Sequence, residues 1–185
     1  MSALPSLIQL KDYSSDEKIT LCLGTFDGVH LGHYKLLETT VETAKKMHNR
    51  ACAFVFDEPP ALRYGKTFSV LTSIEEKAVL MKSDGIDTII HCPFDSSIAS
   101  MDADDFTQQI LVEKLHAVHI VIGFHYRYGR GAMGNADTMT AFCRRTHLGI
   151  DVIKPVYDRS GALISSTAIR RYLQEGRRSD AEAML

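Results

Sequence analysis

The sequence is short of the features that mark specialised classes of protein. Its four cysteines, Cys22, Cys52, Cys92 and Cys143, are scattered and none forms a CxxC pair, a spacing that suits reduced core thiols and excludes a disulfide framework or a cysteine zinc site. Neither sign of charge is in excess. With 21 Lys and Arg against 23 Asp and Glu the net charge is −2, whereas a general binder of nucleic acid or anionic membrane needs a basic surplus. Long apolar runs are missing too: stretches such as Val118 to Ile122, interrupted by His119, fall far short of the roughly 20 residues that a membrane-spanning helix requires. Met1 to Asp12 lacks the cationic start, apolar stretch and small-residue cleavage site of a secretory signal. The expectation is a cytoplasmic protein without nucleic-acid, membrane or obligatory protein partners. No internal repeat, low-complexity tract or linker composition interrupts it. What is present, 185 residues of which 45% are hydrophobic and 24% charged, is the composition of one soluble globular domain.

Short β-rich segments alternate with stretches carrying apolar residues at helical spacing, the pattern of βαβ units and a parallel sheet, so the fold class is α/β. The expected strands are Ile19 to Leu23, Ala51 to Phe56, Asp87 to His91, Val118 to Ile122 and Asp151 to Pro155. Between the first two, residues 31–46 place Leu36, Leu37, Val41 and Ala44 on one helical face. After the second strand Asp57-Glu58-Pro59-Pro60 forces an exposed loop to about Val70. Thr72 or Ser73 caps the next helix, with Glu75 and Glu76 in its first turn. A helix over residues 103–115 has Phe106, Ile110, Leu111 and Leu115 as its apolar face, another covers about 137–146, and one or two helices close the chain.

Ligands of open α/β sheets bind beyond the carboxyl ends of the strands, and chemically suggestive residues follow three of them. After the first strand stands Gly24-Thr25-Phe26-Asp27-Gly28-Val29-His30-Leu31-Gly32-His33. Glycines there let the backbone approach a phosphate, and free N–H groups at a helix start favour anions. His30 and His33, three apart, face the same way and offer two donors to a polyphosphate. Zinc binding by the pair would need further ligands that the sequence does not supply at supporting spacing. Far down the chain, Ile164-Ser165-Ser166-Thr167-Ala168-Ile169-Arg170 combines helix-capping hydroxyls with a guanidinium; it suits a second phosphate cradle and equally a plain helix cap. Gly123-Phe124-His125-Tyr126-Arg127-Tyr128-Gly129-Arg130 offers flat faces and cations to a nucleotide or flavin ring, or packs a loop onto the sheet. Arg127, Arg130, Arg144 and Arg145 outweigh Asp137 and make this region basic.

The GTFDGVHLGH run carries the HxGH signature of the nucleotidylyltransferase superfamily. With its FDGVH lead-in it resembles the FMN adenylyltransferase part of the bacterial bifunctional riboflavin kinase/FAD synthetases, where the run is typically G-N-F-D-G-V-H-x-G-H. The segment from Ile164 to Arg170 resembles that family's I-S-S-T-x-I-R motif, and the tail from Leu173 to Leu185 is also similar. Two segments depart from the pattern. In place of G-x-D-F-R-F-G the chain has His125 for the acidic or amide residue, tyrosines at 126 and 128, and Ala132 for a frequent arginine; in place of F-x-P-h-P it has Phe56-Asp57-Glu58-Pro59-Pro60.

The resemblance implies a Rossmann-like, doubly wound sheet of about five parallel strands with helices on both faces. Residues 1–185 would form the adenylyltransferase domain, the riboflavin kinase domain being absent from this chain. The implied reaction is ATP plus FMN giving FAD and pyrophosphate. His30, His33 and Arg170 would be catalytic. ATP would be held by Gly24, Thr25, Phe26, Asp27, Gly28, His30, Gly32, His33, Ser165, Ser166, Thr167 and Arg170, and the flavin by Phe56, Pro59, His125, Tyr126, Arg127 and Tyr128. Mg²⁺ would arrive chiefly with the nucleotide phosphates; Asp57 and Glu58 read more naturally as an exposed acidic turn than as its ligands. The changes around His125 and Pro59-Pro60 also fit another phosphorylated acceptor, such as pantetheine phosphate or nicotinamide mononucleotide, or a non-catalytic paralogue that senses flavin or nucleotide.

Overall fold

The computed structural model describes residues 6–65 and 67–185. Six parallel strands form one sheet: β1 (Ser6–Gln9), β2 (Ile19–Leu23), β3 (Arg50–Phe56), β4 (Thr88–Cys92), β5 (Ala117–Gly123) and β6 (Gly149–Ile153), in the order β1-β4-β3-β2-β5-β6. The five expected strands are all present, with ends shifted by a residue or two. The sixth, β1, is an edge strand pairing with β4 from Ser6 opposite Thr88 to Gln9 opposite His91. At four residues it is too short to show an alternating pattern.

Side chains alternate across the sheet and build two cores. Leu21, Leu23, Phe54, Ile120 and Ile122 face one way, against Phe106, Leu111, Met139 and Cys143. Cys22, Ala53, Val55, Ile89 and Val121 face the other, against Leu36, Leu37, Ala44, Ala78 and Met81. Every residue of β2 is buried, as expected of a central strand covered on both faces. All four cysteines are buried free thiols.

Helix α1 (Leu31–Met47) follows β2 and buries Leu36, Leu37, Thr40 and Ala44; Val41 lies at the edge of that face. The loop after β3 contains one helical turn, α2 (Pro60–Arg63), started by Pro60. Helix α3 (Ile74–Ser83) opens with a reciprocal cap: Glu76 N–H donates to Ser73 Oγ at 3.1 Å and Ser73 N–H to Glu76 Oε2 at 2.7 Å. A short turn α4 (Ser96–Ser100) and α5 (Ala103–Asp105) come next. Here winding differs from expectation, since α5 continues as a π-helix over Phe106–Lys114. The apolar positions allow this, because Phe106 and Leu111, like Ile110 and Leu115, are five apart and serve the wider turn as well as an α-helical one. Helix α6 (Ala136–Thr146) packs beside β6. The chain closes with α7 (Ser166–Gln174) and α8 (Arg178–Glu182), which share a third small core of Ile164, Ile169, Tyr172, Ala181 and Met184. Leu31 N–H donates to Met184 O at 2.9 Å, pinning the tail to the start of α1. No helix among the described residues is long and apolar enough to cross a membrane.

Strand order reverses at β2. The chain proceeds from β2 through β3 to β4 on one side and then returns to lay β5 and β6 on the other. The carboxyl ends of β2 and β5 therefore flank a crevice, the position where such sheets bind ligands. Leu21 sits at the middle of this frame, wholly buried beside Cys52 and Ile120. Leu21→Ala is expected to lower the unfolding free energy by about 3 kcal/mol, read as a lower urea midpoint at unchanged slope.

Candidate active site

A cleft of about 340 Å³ opens at the carboxyl ends of β2 and β5. Of the nucleotide-directed residues expected from the sequence, Gly24, Thr25, His30, Gly32, His33 and Ser165 line it; of the flavin-directed set, Phe56, His125, Tyr126 and Arg127 do. Phe26, Asp27, Gly28, Ser166, Thr167, Arg170, Pro59 and Tyr128 are not on its wall. Tyr128 instead helps line a smaller adjoining recess and stacks on Tyr126 at 5.6 Å between ring centroids.

The glycine turn is shaped by its own neighbours. Phe26 and Val29 adopt positive φ, as does Gly28 at φ +84, where a Cβ would meet Leu71 Cδ1 at 2.8 Å. Such backbone is costly for ordinary residues and is held here by surrounding contacts. Gly32 serves a different purpose. A Cβ there would stand 3.1 Å from the ring of His30, so the small residue between the histidines makes room for the first imidazole.

His30 is the N-cap of α1 and His33 lies in its first turn. Their rings stack at 3.7 Å with 17° between planes. Burial pushes the His30 imidazole down to about 4; it pushes His33 well below the ordinary value, with His30 and Lys77 adding to the effect. Both rings are neutral near pH 7 and act as N–H donors, not as cations. His33 Nδ1 accepts the backbone N–H of His30 at 3.3 Å, which puts the ring proton on Nε2. His30 lines the cleft, and its Nδ1 is buried with no partner among the described residues.

Asp27 is 2% exposed and ties three segments together. Its Oδ1 accepts from the N–H groups of Leu71 and Thr72 at 2.8 and 3.1 Å, and its Oδ2 pairs with the Arg170 guanidinium. Ser166 Oγ donates to the Asp27 carbonyl at 2.7 Å, and Gly28 N–H donates to Thr72 Oγ1 at 2.9 Å. Arg170 is further held by Nε donating to Ser69 O at 2.8 Å and by the Phe68 ring 4.2 Å away. Ser165, in turn, caps α7 by accepting from Ala168 N–H at 3.2 Å. Thus the second motif braces the glycine turn, and only Ser165 of its hydroxyls reaches the cleft. Asp57, beyond β3, is engaged with His91 Nδ1 at 2.6 Å. Of the basic residues near β5, Arg130 pairs with Asp102 and Arg145 with Asp104, leaving Arg127 on the wall.

Sequence reading overlooked Lys154, which lines the cleft directly after β6; the strand-end rule was the available signal. It also overlooked Lys77, 1% exposed on α3, although Ile74, Lys77, Ala78 and Met81 stand at the spacing of one buried helical face.

Two outcomes follow from this geometry. Asp27→Asn leaves the Arg170 charge half-buried without a counter-charge and is expected to cost about 3 kcal/mol of stability, with Arg170→Met in the same chain restoring part of the urea midpoint. For His30 the folded imidazole stays neutral down to about 4 while the unfolded one titrates near 6.5. Between those values the unfolded chain binds the extra proton, so stability is complete above 6.5 and is lost as pH falls toward 4. His30→Asn is expected to flatten that part of the curve of urea midpoint against pH.

Comparison with known proteins agrees with this architecture. Over 177 residues the chain is 31% identical to the bifunctional riboflavin kinase/FMN adenylyltransferase of Buchnera aphidicola from Acyrthosiphon pisum, covering 95% of this chain and 56% of that protein. It is 29% identical to the FAD synthetase of Listeria monocytogenes, covering 97% of this chain and 73% of that protein. The chain therefore spans little more than half of the Buchnera relative. A crystal structure described as a macrolide-efflux protein from Streptococcus pneumoniae superposes with a TM-score of 0.83 at 25% identity, over 96% of this chain and 59% of that one. Residues 12–168 match the FAD synthetase family model, and with the glycine turn, the stacked histidines and the brace beneath them in view, the chain belongs to the FAD synthetase family.

Proposed function

We propose that this chain transfers the adenylyl group of ATP to FMN, giving FAD and pyrophosphate, and that residues 1–185 carry adenylyl transfer alone. The observation that carries this reading is the pair of neutral, stacked imidazoles at the start of α1, set in a cleft whose other wall is aromatic and apolar. A phosphate chain fits the polar side and a flat ring system fits the other, where Phe56, Tyr126 and Arg127 stand.

The phosphate of FMN is already an anion near neutral pH, so no side chain has to generate the nucleophile. One of its oxygens bonds to the α-phosphorus of ATP as the bond from that phosphorus to the bridging oxygen breaks, and the electron pair leaves with pyrophosphate. The protein contributes orientation and charge stabilisation. The N–H of His33 and the ring of His30 meet the bridging and β-phosphate oxygens where negative charge grows. Gly24, Thr25 and Ser165 contact the phosphates beside them. Asp27, Ser166 and Arg170 hold the turn in that shape, with Phe26 and Gly28 forming its bend. Phe56, Pro60, His125, Tyr126 and Arg127 form the flavin side, with Tyr128 stacked on Tyr126 in the adjoining recess.

Among the described residues no three His, Cys, Asp or Glu converge as a metal cage. Mg²⁺ would arrive as the companion of the nucleotide phosphates and neutralise part of their charge.

The test is to incubate the purified chain with MgATP and either FMN or riboflavin and to resolve the flavins over time. FAD is expected from FMN, with riboflavin unchanged. His33→Ala is expected to lower kcat by about 10²-fold, the cost of one preorganised donor, with the fold intact by circular dichroism. ATP binding without FAD formation would pass the reading to another phosphorylated acceptor or to a sensor.

A further inference from the structure

The hydrogen bond between His91 and Asp57 has no part in the site described so far. Nδ1 and Oδ1 are 2.6 Å apart, and because a carboxylate only accepts, the ring proton is on Nδ1. Strand alternation brings the two side chains together. Val55 on β3 and Ile89 on β4 both belong to the core that α1 and α3 cover, and Asp57 and His91 each stand two positions further on, facing the same way. Val55 is opposite His91 in the register, so Asp57, the first residue past β3, reaches the ring from one step ahead. Every other residue of β4 is buried, and only 13% of the His91 side chain is exposed. Packing alone would favour an apolar residue there; the imidazole is accounted for by its partner.

Asp57 opens the loop that supplies part of the cleft wall. Phe56, immediately before it, and Pro60, three residues after it, both line the cleft, whereas Asp57 and His91 do not. Asp57 is held twice: its carboxylate accepts from His91, and its N–H donates to Cys92 O at 3.0 Å. With Asp57 fixed on one face of the sheet, alternation turns Phe56 to the other. There its ring meets Phe94 edge-on at 5.0 Å and Phe54 at 5.4 Å. Tyr64, which ends α2, packs edge-on against the same Phe94 at 6.2 Å. The segment from His91 to Phe94 is thus the backing of the wall that Phe56 and Pro60 present. The far end of the same connection, at Leu71 and Thr72, is held separately by Asp27.

We infer that His91 is a positioning residue for the acceptor: through Asp57 it fixes the start of the loop after β3, so that Phe56 and Pro60 stand preformed as the wall on which the acceptor's ring system lies. This rests on the adenylyltransferase reading and adds to it the side chain that sets the acceptor wall. A loop already fixed does not pay its ordering cost when the ligand binds. The glycine turn at the nucleotide end has its own brace in Asp27 and Arg170, so loosening the His91–Asp57 bond is felt by the acceptor and not by ATP.

The experiment measures KM for FMN, KM for MgATP and kcat of FAD formation for the wild-type chain, His91→Val, Asp57→Ala, the double variant and His91→Asn, whose amide keeps a donor near the place of Nδ1. His91→Val and Asp57→Ala are each expected to raise KM for FMN about tenfold, the loss of one hydrogen bond to a charged group, with KM for ATP and kcat changed less than about twofold. The double variant is expected to match the single ones, since either substitution already removes the whole bond. His91→Asn is expected to stay close to the wild-type KM for FMN. An unchanged KM for FMN in His91→Val, equal rises in both KM values, or additive effects in the double variant overturn the inference and leave the adenylyltransferase reading standing. Absence of FAD formation by the wild-type chain overturns both. Asp57 is 35% exposed in its side chain and lies outside the strands, so Asp57→Ala carries the test should His91→Val not fold; failure of both to fold assigns the bond to the fold and overturns the inference.

Discussion

The buried carboxylate of Asp27 holds together segments that are far apart in the chain. One oxygen gathers the backbone of Leu71 and Thr72 and the other pairs with Arg170, so the turn after β2, the approach to α3 and the first turns of α7 meet at a single residue. Burying a charge is tolerable only when its partners are this complete. The positive φ at Phe26, Gly28 and Val29 is maintained by the same brace, and that bend determines where the α1 N-terminus and its histidines point.

On that foundation the cleft combines two environments. The imidazoles are stacked and uncharged, which suits hydrogen bonding to phosphate oxygens but supplies little attraction over distance. Arg170 is the obvious cation, yet its guanidinium is occupied by Asp27, Ser69 and Phe68. Among the described residues, the cations on the cleft wall that make no ion pair are Arg127 and Lys154. On the proposed adenylyl transfer, neutral donors would set geometry at the reacting bond while the wall cations would hold the charge of the substrate.

Apart from Thr25, which stands where the family run has asparagine, the departures from the family pattern follow β3 and β5. Phe56, His125, Tyr126 and Arg127 still reach the wall, and Pro60 does so in place of Pro59. Tyr126 and Tyr128 keep their rings stacked. The turn after β2, by contrast, keeps its glycines, both histidines and the Asp27 brace. Any change in acceptor would therefore be expressed on the aromatic wall and leave the nucleotide end alone.

The sequence by itself determined the parallel α/β frame, because strands covered on both faces read as apolar runs and their helices carry a 3.6-residue stripe. It determined the location of the histidine pair as well, since glycine and histidine at fixed offsets after a strand have few other uses. It did not determine β1, whose four residues are too few for a pattern, nor the π winding after α5, which shares its apolar positions with an ordinary helix. Only the tertiary structure decided that Arg170 and Ser166 brace the turn while Ser165 faces the cleft, because neighbouring positions in one helical turn point in different directions. It alone revealed the situation of Lys77. A lysine at helical spacing reads as solvated until packing removes it from water, and pairing is a property of groups distant in sequence, which no local pattern records.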